Sequence, residues 1–258
     1  MVRKKEKKNM AVNVDIKALL ESGVHFGHKT SRWNPKAAPF IHSKRQDSHI
    51  IDLTKTVEAL EVALPFLTKT ASSRRPILFV GTKKQLKDLV KETAESVNQP
   101  YVTERWIGGI LTNVDTISKQ IKKLKNLERR LKSGDLEKRY SKLEVQRFEE
   151  EIEDLNRKYG GIKNMNGKPA ALIVTDMITE ANAIKEANAL GIPVVAIADT
   201  NTDPNLVKFA IPGNDDAIKS VAILLDLFKQ AVVEGQAEIK IADKPVSKEK
   251  EADKKDNK

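Results

Sequence analysis

The hydrophobic positions of this chain follow two periods. Short, nearly continuous apolar runs at Ile77–Val80, Ala170–Thr175 and Ile192–Ala198 have the length and composition of strands buried on both faces. Tyr101–Trp106 and Lys208–Ile211 add two further strands. Between them the period becomes helical. Leu86, Leu89, Val90 and Val97 line one face of Lys83–Val97, and Thr179–Leu190 and Asp215–Val233 follow the same rule. Strand and helix in alternation predict an α/β fold, a doubly wound parallel sheet with helices on both faces. Ahead of it, Ile16, Leu19 and Leu20 predict a short helix over Asp15–Ser22 that ends at Gly23. Val57, Leu60, Leu64 and Leu67 predict a longer one over Thr54–Thr70, with Thr54 placed to cap it and Pro65 to kink it.

After the second strand the alternation breaks off. Val114, Ile117, Ile121, Leu124 and Leu131 recur at coiled-coil spacing, interrupted by Glu128, up to a tight turn at Ser133-Gly134-Asp135. A second arm carries Leu136, Tyr140, Leu143, Phe148, Ile152, Leu155 and Tyr159, with a one-residue slip between Leu143 and Phe148. The pattern predicts a helical coiled-coil hairpin over 112–159, projecting roughly 30 Å. Lys119, Lys122, Lys123, Lys125, Arg129, Arg130 and Lys132 crowd the first arm, and Glu149, Glu150, Glu151, Glu153 and Asp154 the second. Such asymmetry suits either ion pairs between the arms or a docking arm for protein or RNA.

The stretch Trp106–Asn113 leads into this hairpin and admits two readings. Gly108 and Gly109 before a helix start resemble a phosphate-binding loop. They also suit a pivot, with Trp106 anchoring the strand end, the glycines turning the chain, and Thr112 or Asn113 capping the outgoing arm. The pivot explains more residues, because no helix that packs back onto the sheet follows the turn.

Charge adds the next constraint. The chain of 258 residues carries a net +10 with a pI near 9.5, which calls for a polyanionic partner. No cysteine is present, so disulfides, thiolate metal sites and cysteine nucleophiles are excluded. The apolar runs are far short of the roughly 20 residues that span a bilayer, and a cytoplasmic protein without membrane contact is expected. Residues 1–12 form a basic tail, 13–235 the α/β domain and 236–258 a charged tail expected to be disordered. All four histidines (His25, His28, His42 and His49) fall in a Pro-punctuated segment over Val24–Ile50, which reads as a long loop. It interleaves Lys29, Arg32, Lys36, Lys44 and Arg45 with Trp33 and Phe40, a composition that pairs phosphates and stacks on unpaired bases. An ordered surface loop pinned by Trp33 and Phe40 is the plainer alternative.

Catalytic chemistry finds little support. Gly81-Thr82-Lys83-Lys84 follows a strand but matches no nucleotide-binding glycine pattern. Asp176, Asp199 and Asp203 follow the later strands and could flank a cation in a nucleotide- or metal-binding enzyme. Asp199–Pro204 reads equally as an Asx-type turn. His25 and His28 lack a further ligand at metal spacing.

Several of these pieces resemble the small-subunit ribosomal protein S-two family. They are Ile16–Gly27 (Ile-Lys-Ala-Leu-Leu-Glu-Ser-Gly-Val-His-Phe-Gly), Trp33–Lys36, His49–Leu53, Gly81–Lys83, Trp106–Asn113 and Pro169–Pro193 with Glu180 and Glu186. The likeness covers about residues 13–235. It implies a flavodoxin-like, five-stranded parallel sheet of order 2-1-3-4-5 with an inserted helical hairpin, and no enzymatic activity, cofactor, metal or small-molecule substrate. It further implies a place on the solvent side of the small ribosomal subunit near the head–body junction. The partners would be small-subunit ribosomal RNA and neighbouring proteins, including the mRNA-binding ribosomal protein S-one. On that basis Lys29, Arg32, Lys36, Lys44 and Arg45 pair with phosphates, and Trp33 and Phe40 order the loop or stack on bases. Lys122, Lys123, Arg129 and Arg130 meet RNA along the first arm.

Overall fold

The computed structural model describes residues 14–165 and 167–242; the expected tail at 1–12 and residues 243–258 of the other lie outside it. Helix α1 (Ile16–Glu21) starts where Asp15 accepts a hydrogen bond from the Lys17 amide at 2.9 Å. The segment after it is no loop. Strands β1 (Phe26–Lys29), β2 (Ile41–Arg45) and β3 (Ser48–Ile51) form a small antiparallel sheet of order β1-β3-β2. Short 3₁₀ turns at Thr30–Arg32 and Pro35–Phe40 connect β1 to β2. These strands escape a hydrophobic-period reading because β2 is exposed from His42 to Arg45 on both faces, so apolar and polar residues have nothing to alternate between.

Helix α2 (Leu53–Ala71) is capped by Asp52, not Thr54, whose own amide and hydroxyl donate to the Asp52 carboxylate at 2.9 and 2.6 Å. The main sheet then begins with β4 (Ile77–Val80), helix α3 (Lys87–Ser96) and a two-residue β5 (Tyr101–Val102), shorter than the expected Tyr101–Trp106. After the hairpin come β6 (Ala171–Val174), helix α7 (Ala181–Ala189), β7 (Val194–Ala198) and β8 (Phe209–Pro212), and the last helix covers Ile218–Ala242. The five strands are all parallel, in the order β5-β4-β6-β7-β8, which is 2-1-3-4-5 counted along this sheet.

Side-chain alternation divides the core in two. Ile77, Phe79, Ala171, Ile173, Val195 and Ile197 face α2, α3 and the last helix. Leu78, Val80, Leu172, Val174 and Ala196 face α7 and the root of the hairpin. Apolar burial on both faces is what drives a parallel sheet together. A sharp fit joins α2 to the last helix, labelled α8 from here. A Cβ built on Gly235 would lie 2.2 Å from the Thr68 carbonyl oxygen. Helix α8 also passes the expected boundary at 236 and runs to Ala242, because Gln236 donates to the Val97 carbonyl at 2.8 Å and Ile239 is half-buried. Among the described residues no helix is long and apolar enough to cross a membrane.

The hairpin consists of α4 (Val114–Lys132), a turn through Gly134 at φ 68°, a short α5 (Asp135–Arg139) and α6 (Lys142–Tyr159). Leu127, buried between Leu124 and Leu131, fills the place where Glu128 was expected to interrupt the seam. The slip in the second arm is a physical break. Tyr140 and Ser141 are extended, and Ser141 restarts the helix with a capping box to Glu144. Val114 and Leu143, both expected in the seam, are 40% and 61% exposed.

In an exposed helix Gly→Ala stabilises by up to about 1 kcal/mol. At Gly235 the sign reverses: Gly235→Ala is expected to lower stability by about 1–3 kcal/mol through overpacking against α2. Chemical denaturation checks this, and an unchanged or raised midpoint would contradict the packing.

Candidate nucleic-acid interface

The small sheet sets out its cations in rows. Lys29 and Arg45 both face Ser48 across the central strand, one from each side. Directly opposed residues project from the same face, so these two cations share a face about 10 Å apart. Lys44 opposes His49, whose ring lies 5.3 Å from that of Trp33. Trp33 is 40% exposed, available to stack as well as to order the turn. Arg32 is exposed in the first 3₁₀ turn, and Lys36 sits in the second with Phe40 half-buried at its end. Lys36 is already paired, its Nζ 2.5 Å from Asp203.

A largely buried charge network at the carboxyl ends of the main strands, open to solvent at Asp216, holds this sheet in place. The His28 amide donates to Thr200 Oγ1 at 2.9 Å and to Asp199 at 3.2 Å, and its ring nitrogens reach Asp199 and Asp216 at 3.1 and 3.3 Å. The Asn34 amide donates to the Thr200 carbonyl at 2.8 Å. Lys83 Nζ lies 3.0, 2.9 and 2.8 Å from Asp176, Asp215 and Asp216. Four aspartates thus face one lysine and one histidine, and the titration follows. Burial, joined by the Asp199 and Asp176 charges, pushes Asp215 up to about 7 despite Lys83. The Asp199 hydrogen bond raises His28 above its usual 6.5 although burial opposes it. Burial works against charged Asp176 as well, but hydrogen bonds from Thr179 and the nearby Lys83 hold its pKa down.

Donor atoms of His28, Asp199 and Asp215 come within 4.8 Å of one another, a spacing that accepts a small cation. Lys83 already brings a positive charge to that cluster. The expected trio Asp176, Asp199 and Asp203 is not one site: Asp176 serves Lys83 and Thr179, Asp199 serves His28, and Asp203 serves Lys36.

Both glycine turns, after β4 and at the hairpin root, receive carboxylates from α7 and its N-cap. At the end of β4, the Thr82 amide donates to Glu180 Oε1 at 2.6 Å, and Glu180, just before α7, is 1% exposed. Gly81 is required there for close approach, since a Cβ would lie 2.7 Å from Thr175 and Val90 atoms. At the hairpin root, Glu186 of α7 receives five hydrogen bonds. Trp106 Nε1 and the Gly109 amide donate to Oε1 at 3.0 and 2.7 Å. The Leu111 and Thr112 amides and the Thr112 hydroxyl donate to Oε2 at 3.1, 3.3 and 3.2 Å. Burial disfavours the Glu186 charge, yet these donors keep its pKa below the usual carboxylate range. Asn113, not Thr112, caps α4. Gly109 makes the turn at φ +94°, whereas a Cβ on Gly108 would meet open space.

Along the hairpin, the expected RNA residues fall into two groups. Lys122 and Arg129 are exposed without a carboxylate partner among the described residues, Arg129 donating to Asn126 at 2.9 Å. Lys123 is paired with Glu151 across the arms, and Arg130 binds Asp135 at 2.9 Å beneath the Tyr140 ring.

The family model described as "Ribosomal protein S2" matches residues 19–235, most of the chain. The chain belongs to the ribosomal protein S2 family. It is similar to the small ribosomal subunit protein uS2 of Roseiflexus sp. strain RS-1, 47% identical over 223 residues that cover 86% of this chain and 85% of that protein. The uS2 of Roseiflexus castenholzii is also 47% identical, with 86% and 84% covered, and that of Flavobacterium psychrophilum 48%, with 88% and 85% covered. Lys83 gathers the aspartates at the strand ends and Glu186 the donors of the hairpin root, roles that composition and spacing do not reveal. The signal that pointed to them was the family resemblance at Gly81–Lys83 and Glu186.

Gly109→Val would force a β-branched residue to φ +94° with its Cβ 3.0 Å from that of Asn113. About 1–3 kcal/mol of strain is expected at the hairpin root. Hydrogen exchange should quicken in the first turns of α4 and stay unchanged in β4 and β6; equal protection in both would contradict the pivot. The crevice gives a pH prediction. The stability contributed by His28 is full below 6.5 and is lost as pH rises through its higher folded value. Asp215, raised from 3.8 to about 7, also disfavours folding increasingly as pH climbs between those values. Stability should therefore fall through neutrality, by at most about 1.4 kcal/mol per pH unit for each proton. His28→Gln should flatten that slope in denaturation curves, and an identical slope would refute the assignment.

Proposed function

We propose that this protein is a structural constituent of the small ribosomal subunit in the cytoplasm, and that it binds small-subunit ribosomal RNA. The observation that carries the RNA reading is the small antiparallel sheet. It presents exposed Lys29 and Arg45 from one face and exposed Lys44 from the other, where His49 neighbours the partly open Trp33 ring, with Arg32 exposed in the adjoining turn, while Asp199, Thr200 and Asp203 fasten the segment to the core. Fixed cations on a rigid platform recognise the shape of an RNA backbone, and a neighbouring aromatic ring suits an unpaired base. The first arm of the hairpin supplies a second basic surface. Neighbouring ribosomal proteins are the protein partners of this reading, ribosomal protein S-one among them. The chain is not an enzyme: the crevice carboxylates have internal partners, and its family is one of ribosomal components.

Binding through phosphates falls with salt in proportion to the contacts made. The double variant Arg32→Ala/Arg45→Ala should reduce the slope of log affinity against log salt by roughly 1.5–2 for small-subunit ribosomal RNA. It should also incorporate poorly into reconstituted subunits. Wild-type slope and incorporation would overturn the assignment of this sheet. Lys36 is left intact in the variant because its removal would also strand Asp203.

A further inference from the structure

A cavity of about 580 Å³ opens at the amino ends of β4 and β5, the end of the main sheet opposite the aspartate crevice. That volume lies within the roughly 300–1,000 Å³ typical of small-molecule sites. Arg74 and Arg75 line it as exposed cations, and Pro76, Pro100, Met165 and Ile239 give it an apolar wall. Tyr101 closes one side. Its hydroxyl donates to Glu95 at 2.8 Å, and its ring packs on Gly161 so closely that no side chain fits there. Two glutamines are pinned by one end only. Gln99 accepts from the Ile77 amide through Oε1 at 2.8 Å, and Gln236 donates through Nε2 to the Val97 carbonyl at 2.8 Å. Gln99 Nε2, a donor, and Gln236 Oε1, an acceptor, are left to the cavity. The backbone carries strain here as well. Among the described residues three that are not glycine have positive φ, and two of them, Arg74 at 61° and Asn98 at 52°, line this cavity.

We propose that this cavity binds a single nucleotide, with the base inside and the phosphate on the arginine pair. Arginine suits phosphate because its planar fork donates two parallel hydrogen bonds. Glu95 is the one acid that lines the cavity, so Arg74 and Arg75 leave a net charge of 2 − 1 = +1 there. Helices α2 and α3 both end beside it, which adds the negative ends of two helix dipoles. A simple anion gains less from such a site than a ligand that carries hydrogen-bond donors as well as a phosphate. A nucleobase supplies those donors. Its edge sets donor beside acceptor, as Gln99 and Gln236 require, and its face suits Tyr101 and the apolar wall. The cavity is separate from the small sheet, so its ligand is either a free nucleoside phosphate or one unpaired nucleotide of a longer RNA.

The test is calorimetry on the full chain with adenosine, guanosine and uridine monophosphates, inorganic phosphate, and a single-stranded oligoribonucleotide. At least one monophosphate should bind about tenfold or more tightly than inorganic phosphate. Arg75→Ala should weaken that binding by about tenfold, the loss of one charge-assisted hydrogen bond. Lys185→Ala, which removes an exposed cation from α7, should leave it unchanged. Ile239→Trp, which fills the cavity, should abolish nucleotide binding at an unaltered denaturation midpoint; if that variant unfolds, Arg75→Ala alone reads the site. Binding of the oligoribonucleotide but of no monophosphate, lost in Arg75→Ala and kept in Lys185→Ala, assigns the site to a nucleotide within RNA. Monophosphate binding that inorganic phosphate matches, no nucleotide binding at all, or binding indifferent to Arg75→Ala would each overturn the proposal.

Discussion

Helix α7 and its N-cap supply two glutamates to turns whose backbone amides would otherwise need an anion. Glu180 takes the Thr82 amide at the end of β4, and Glu186 takes the amides of Gly109, Leu111 and Thr112 with the Trp106 indole. Unpaired amides buried at a turn are costly, and a carboxylate that accepts several of them is among the stronger hydrogen-bond arrangements in proteins. The consequence is architectural. A loop that in other doubly wound folds holds a ligand phosphate is closed here by the chain itself. The direction in which the hairpin leaves the sheet is fixed from α7, which packs on the same core face as Trp106, Ile110 and Leu111.

The same economy of charge governs the crevice. Asp176, Asp199, Asp215 and Asp216 converge on Lys83 and His28, and through His28 and Thr200 they hold the small sheet against the strand ends. Where a doubly wound enzyme would leave polar groups pointing at a substrate, this chain ties them to each other. Exposed cations without such partners include those of the small sheet and of the first hairpin arm. Part of the excess of positive charge visible in the composition is thus presented on two outward surfaces, the small sheet fastened by the aspartate network and the hairpin fastened at its root by Glu186.

The main sheet was legible because Ile77–Val80, Ala171–Val174 and Val194–Ala198 are buried at every position and announce themselves as apolar runs. The hairpin was legible from its seam, and even the slip between Leu143 and Phe148 had a cause, the restart at Ser141. The small sheet was not, since exposed strands such as His42–Arg45 have no hydrophobic period. The end of α8 was misjudged for a related reason: Ile239 is too sparse a signal, and what continues the helix is the bond from Gln236 to Val97. At the site, residue type gave the basic set but not its pairing. Lys36, Lys123 and Arg130 look like Lys122 and Arg129 in sequence, and what distinguishes them is a partner: Asp203 and Glu151 from far along the chain, and Asp135 from across the hairpin turn.

The most direct measurement is a map of RNA–protein cross-links on this chain in reconstituted small subunits. The account predicts attachment of ribosomal RNA at Lys29, Lys44 and Lys122, with Lys83 and Lys123 unmodified. Cross-links concentrated at the strand-end crevice or along α6, with the small sheet and the first hairpin arm untouched, would contradict it.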